Sequence, residues 1–138
     1  MTKELEDKLF NRFNFYKADA SLMFGIECGN GWFDIIWELS EKIENILNKY
    51  YPTNQQALDL LIDCPVFGVK QVKEKFGTLR FYYEMRLDTP AAHDEIMNAV
   101  NEAEEKTYTT CEECGQPGEK TSSGWIKVLC DNCKKDEK

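Results

Sequence analysis

The stretch Val66-Phe67-Gly68-Val69-Lys70-Gln71-Val72-Lys73-Glu74-Lys75-Phe76-Gly77-Thr78-Leu79-Arg80-Phe81-Tyr82-Tyr83-Glu84-Met85 reads as a β-hairpin in a chain otherwise dominated by helical periodicity. Residues 78–85 alternate cleanly. Leu79, Phe81, Tyr83 and Met85 fall on one face, and Thr78, Arg80, Tyr82 and Glu84 on the other. Residues 66–73 are rich in β-branched side chains, and Lys75-Phe76-Gly77 supplies the turn, with a glycine free to take positive φ. The alternation fails around Gln71-Val72, which predicts a bulge or register shift there. An apolar sheet face needs cover, and helices flank the hairpin in sequence. The expected class is therefore α+β, with helices packed on a small antiparallel sheet.

Upstream, residues 3–18 read as an amphipathic helix, with Leu5, Leu9, Phe13 and Tyr16 spaced by four, four and three. Residues 21–28 follow as a strand carrying Leu22, Phe24, Ile26 and Cys28 on one face. Gly29-Asn30-Gly31 lacks the longer spacing of a phosphate-binding loop and reads as a tight turn, with Asn30 near a helix cap. Trp32, Ile36, Leu39, Ile43, Ile46 and Tyr50 then mark the strongest helix, which Pro52 ends. Residues 54–62 fit a short helix. Downstream of the hairpin, Thr89-Pro90 is a helix start, and Ala92, Ile96, Val100 and Ala103 form an inward stripe running to about Lys106. His93, the one histidine, falls on the polar side of that stripe.

The most specific chemistry lies at Cys111-Glu112-Glu113-Cys114-Gly115 and Cys130-Asp131-Asn132-Cys133, two Cys-x2-Cys pairs separated by fifteen residues. That spacing matches a zinc site: each pair bends into a knuckle that aims two sulfurs at one point, and two knuckles complete a tetrahedron. Four thiolates close the coordination sphere, so the metal is expected to be structural, folding an appendage too small to be stable alone. The expected organisation is a core over residues 1–106 and a zinc ribbon over 107–138, with a treble-clef-like knuckle pair as the alternative. The ribbon is favoured because the tail after Cys133 has little room for a helix. Cys28 and Cys64, isolated from any basic partner, read as small buried hydrophobes.

Seventeen Lys and Arg against twenty-five Asp and Glu give a net charge of −8, which weighs against a general nucleic-acid binder. The charge is uneven: residues 66–88 hold Lys70, Lys73, Lys75, Arg80 and Arg86 against three acids. No apolar run approaches the ~18 residues of a membrane span, and the first residues lack an apolar signal core. A soluble, cytoplasmic protein is the expectation. No nucleophile–base–acid set stands out; Glu27, Glu38 and Glu74 are carboxylates that no spacing singles out as a catalytic pair.

Three segments together carry a resemblance: Phe24-Gly25-Ile26-Glu27-Cys28-Gly29-Asn30-Gly31-Trp32, then Gln71 to Tyr82, then the cysteine pairs with Pro117-Gly118, Gly124-Trp125 and Leu129. In these the chain resembles a family of small uncharacterised bacterial and phage (prophage) proteins, from Phe24 onward. The resemblance implies a phage-linked setting, in which host takeover or counter-defence are the roles to consider; it implies no catalytic residues. With the closed metal site and the acidic balance, the leading expectation is a non-enzymatic protein-interaction module, a phage-encoded inhibitor or adaptor acting on a host protein complex. The alternative is a nucleic-acid-associated zinc-ribbon protein using Lys70, Lys73, Lys75, Arg80 and Tyr82. Trp125 fits either a core anchor or an interface.

Overall fold

The computed structural model describes residues 1–16, 25–50, 67–85, 89–122 and 124–136. Helix α1 (Lys3–Arg12) leads into a 3-10 turn, Asn14–Tyr16, and then strand β1 (Ile26–Glu27). A second 3-10 turn, Asn30–Trp32, opens helix α2 (Phe33–Tyr50). Strands β2 (Phe67–Lys75) and β3 (Thr78–Met85) form the hairpin, followed by helix α3 (Pro90–Thr107). The last elements are β4 (Glu119–Lys120), β5 (Val128–Leu129) and helix α4 (Asp131–Asp136). The expected helix at 54–62, Cys64 and the first half of the expected strand at 21–28 lie outside the described residues.

The architecture is α+β. The hairpin closes through Phe76-Gly77, with φ of 54° and 81°, between the paired residues Lys75 and Thr78. A two-residue loop with both φ positive has the twist that matches the flanking strands, and glycine takes the second position without strain. The register slips between Val69 and Gln71: Val69 pairs with Tyr83 and Gln71 with Tyr82, so Lys70 is the extra residue. This is the irregularity that the broken alternation predicts.

The sheet itself is mixed rather than antiparallel. β1 runs parallel to β2, with Ile26 opposite Val72 and Glu27 opposite Lys73, giving the order β1-β2-β3. Parallel strands need a long crossover, and helix α2 lies within it.

Helix α1 stops at Arg12, short of the expected end at residue 18, and Phe13 turns extended at φ −121°. The reason is crowding of apolar residues. Phe13, Phe15 and Tyr16 are all buried, and one helical face cannot turn three of four consecutive side chains inward. The 3-10 turn does so: Phe13 meets Trp37 edge-on at 5.1 Å, and Phe15 meets Phe67 edge-on at 5.3 Å. Tyr16 hydrogen-bonds Ser40 at 2.6 Å, and Ser40 donates to the Ile36 carbonyl at 2.7 Å, so the polar atoms in this corner are paired.

Helix α2 packs on α3, and α3 lies along β3. Trp32, Ile36, Leu39, Ile43 and Leu47 are buried from α2's side; the first four lie on the stripe that the periodicity predicts, whereas Leu47 takes the place expected of the half-buried Ile46. From α3, Ala92, Ile96, Val100 and Ala103 are buried as the periodicity predicts, and His93 is exposed. Pro90 opens α3 and Thr89 takes the extended cap backbone, although its side chain makes no capping hydrogen bond.

Among the described residues, backbone groups on both outer strands of the three-stranded sheet are engaged by groups from helices and the chain start. On β3, the Leu79 N–H donates to Thr107 Oγ1 at 3.1 Å and the Phe81 N–H to Glu104 Oε2 at 3.2 Å, both from α3. On β1, the Ile26 N–H donates to Glu6 Oε1 at 2.8 Å, and the Met1 ammonium donates to the carbonyls of Ile26 and Cys28. Strand edges left open recruit other strands; these donors are occupied.

Candidate metal centre

The segment after α3 bends back at once. Thr110 bridges to Pro117, the Cys111 N–H donates to the Gln116 carbonyl at 2.7 Å, and the Gly115 N–H to the Cys111 carbonyl at 2.9 Å. Gly115 closes this knuckle at φ 83°, as its place after the pair predicts. The short hairpin β4–β5 returns the chain to Cys130. Helix α4 begins at Asp131 and includes Cys133, so the second pair frames a helix start rather than a second free knuckle. This is the treble-clef-like form. The helix starts between the two cysteines and takes its last three residues, 134–136, from the tail in which little room for a helix was expected.

The four sulfurs of Cys111, Cys114, Cys130 and Cys133 lie within 4.8 Å of one another, with Cys114 and Cys130 at 3.5 Å. They are positioned to hold a metal ion. The donor set is four thiols without carboxylate or imidazole, which fits a soft or borderline cation in a closed tetrahedral site and is compatible with zinc. The backbone N–H of Cys133 points at the Cys130 sulfur and brings that thiol down to about 7, into the range where thiolate forms readily. Its neighbour Cys133 moves the opposite way, chiefly through the hydrogen bond between its thiol and Cys130.

The centre rests on the Gly29-Asn30-Gly31 turn. The Gly31 N–H donates to the Glu112 carbonyl at 2.7 Å, and the Gly29 N–H to Glu112 Oε2 at 2.9 Å. The Trp32 indole N–H reaches the Thr110 carbonyl at 2.9 Å. A methyl group on Gly31 would lie 2.2 Å from the Cys111 carbonyl oxygen, and one on Gly29 2.3 Å from that of Glu112. Backbone packs directly on backbone here, so both positions exclude any side chain. Asn30 does not cap α2; its Oδ1 accepts the Thr2 N–H at 2.9 Å and ties down the chain start.

Glu112 was not singled out by its place inside a Cys-x2-Cys pair, yet it joins the two parts of the site. Its side chain is buried, Oε1 has no partner, and burial raises its pKa despite the Gly29 N–H. The signal for this junction was present in the sequence as two glycines spaced by one residue before a tryptophan.

The basic residues read from the hairpin separate into three settings. Lys70, on the bulge, is paired with Glu84 at 2.8 Å. Lys73 and Arg80 stand directly opposite each other on the face away from the helices, beside Tyr82, which is exposed. Lys75 lies over the Phe76 ring at 5.6 Å, next to Trp125, and the latter is 78% exposed. Trp125 is therefore not a core anchor. Of the carboxylates considered for catalysis, Glu27 accepts from Gln71 at 3.2 Å, Glu38 from Lys106 at 3.4 Å and Glu74 from the Gly77 N–H at 2.7 Å. Each serves a different local contact. Cys28 is buried, and its thiol is pushed up to about 12 by burial first and by Glu112 second. That is the behaviour of a small hydrophobe.

Among the described residues, no helix is long and apolar enough to cross a membrane. No protein-family model, curated protein or solved structure matches the chain.

Proposed function

We propose that the protein is a zinc-stabilised protein-interaction module that acts by binding rather than by catalysis, as a phage-encoded inhibitor or adaptor acting on a host protein complex. The observation that carries the metal part is the convergence of four cysteine sulfurs. Four thiolates fill a tetrahedral Zn²⁺ and leave no position for a reacting water, so the ion serves the fold. What that fold holds outward is the β4–β5 hairpin with its exposed Trp125. The phage-linked setting rests on the resemblance carried by the Phe24–Trp32 segment, the Gln71–Tyr82 segment and the cysteine pairs with Pro117-Gly118, Gly124-Trp125 and Leu129.

The reading is tested in two steps on the full chain. Metal analysis of protein expressed without added metal is expected to give one zinc per chain, lost on Cys111→Ser. A tagged pull-down from the host, with and without nuclease, is then expected to return a stoichiometric host protein that survives nuclease.

A second reading is a nucleic-acid contact through the hairpin, and one observation favours it. Lys73 and Arg80 are opposed across the strands, which brings two cations together on one face, with Glu27 opposite Lys73 on the other side. Capture that vanishes with nuclease, and that falls sharply on Lys73→Glu with Lys75→Glu, would replace the first reading with this one.

A further inference from the structure

The tips of the two hairpins lie against each other. A methyl group built on Gly77 in the β2–β3 turn would sit 3.4 Å from Ile126 of the β4–β5 hairpin. Between them opens a hollow of about 350 Å³ lined by Glu74, Lys75, Phe76, Gly124, Trp125 and Ile126. Its walls are unusually apolar for a surface: Phe76 is 62% exposed, Trp125 78% and Ile126 40%. Single exposed apolar residues are ordinary, but three converging on one hollow are characteristic of a contact surface. Trp125 also borders a second hollow on its other side, beside Lys120 and Lys134.

We propose that the hollow between Phe76 and Trp125 docks an acidic polypeptide segment that inserts one large apolar side chain. This rests on the protein-interaction reading above and names its surface and partner chemistry. Charge supplies the argument for acid. In a chain of net charge −8, the groups bracketing Trp125 are Lys75, Lys120 and Lys134. Glu119 pairs with Lys134 and Glu74 accepts the Gly77 N–H, so Lys75 and Lys120 stand against the one remaining carboxylate charge, that of Glu74. From the tip, Lys75, Lys73 and Arg80 carry basic groups along the sheet, with Glu27 set opposite Lys73 on β1. The docking is by side chains rather than strand addition, because the backbone donors of Ile26, Leu79 and Phe81 at the sheet edges are taken. A tryptophan beside a pocket, rimmed by cations, is the composition of an interface hot spot.

The probe is a displayed library of random twelve-residue peptides selected against the full chain, with a labelled oligothymidine titrated in parallel. Enriched peptides are expected to carry one large apolar residue flanked by Asp and Glu. Their binding is expected to weaken at least tenfold in Trp125→Ser and in Phe76→Asn, and to weaken with added salt. Both side chains are exposed, and asparagine tolerates the left-handed backbone of Phe76, so the variants fold. Their zinc content and near-ultraviolet circular dichroism check this. Peptides that bind both variants undiminished overturn the site while leaving the interaction reading in place. A consensus without acids overturns the partner chemistry. Failure to enrich any peptide overturns the inference, and if oligothymidine binds in that case the interaction reading falls with it.

Discussion

Gly31 and Glu112, eighty-one positions apart, are joined backbone to backbone: the Gly31 N–H donates to the Glu112 carbonyl at 2.7 Å inside the first cysteine knuckle. The candidate metal centre is thus seated on the turn that opens helix α2, backbone against backbone at Gly31, with the side chains of Glu112 and Trp32 adding one hydrogen bond each.

Gly31→Ala places a methyl group 2.2 Å from the Cys111 carbonyl, so the knuckle or the turn must move. The expected cost is about 1–3 kcal/mol, as for other overpacked sites. Urea unfolding of the metal-loaded chain measures it, and chelator competition is expected to show weaker metal retention. An unchanged midpoint would mean that the two backbones are not in contact.

Removing the metal with a chelator is expected to release the segment from Tyr108 through α4 while helices α2 and α3 persist. Hydrogen exchange followed by mass spectrometry reads this directly. The amides of Gly29 and Gly31, which donate to Glu112, are expected to lose protection together with the knuckle. Retained protection at Gly29 and Gly31 would show that the junction forms without metal.

Thr107→Val keeps the shape of the side chain but removes the hydroxyl that accepts the Leu79 N–H at 3.1 Å. A buried donor left without a partner costs about 1–3 kcal/mol. The urea midpoint is expected to fall accordingly, whereas Thr109→Val, at an exposed position, leaves it unchanged. Equal midpoints for the two variants would remove Thr107 from its role at the sheet edge.

The Cys28 thiol, pushed up to about 12 by burial, stays protonated at pH 8 and is expected to resist iodoacetamide until the chain unfolds. The sign of the linked stability follows from a folded value above the unfolded one. The neutral thiol's contribution is complete below the ordinary thiol range near pH 9 and declines as pH rises from there toward 12. Mass spectrometry of alkylated peptides checks the first point, and the urea midpoint of Cys28→Ala against the parent between pH 8 and 11 checks the second. Rapid native alkylation at Cys28 would contradict both.

Periodicity made α2, α3 and the β2–β3 hairpin legible, because each has one buried face of Trp32, Ile36 and Ile43, of Ala92 and Ile96, or of Leu79 and Phe81. The cysteine spacing likewise singled out the four sulfurs that converge. Pattern failed where burial came from more than one direction. Phe13, Phe15 and Tyr16 fill a corner rather than a stripe, which ends α1 early. β1 pairs with Val72 and Lys73, forty-six residues away, and nothing local in Ile26 or Glu27 encodes a parallel partner. Glu104, Thr107 and Glu112 act through single hydrogen bonds to distant backbone, and such contacts leave no period in a sequence.

The seat of the cysteine module also orders the biosynthesis of the protein. Gly29, Gly31 and Trp32 leave the ribosome well before Thr110 and Glu112, whose oxygens their donors require. Domains begin to fold as they emerge, so the turn waits, hydrated, until the first knuckle arrives. A metal held by the four cysteines would also fasten the late knuckle against the early Gly29–Trp32 turn, tying the first third of the chain to the last.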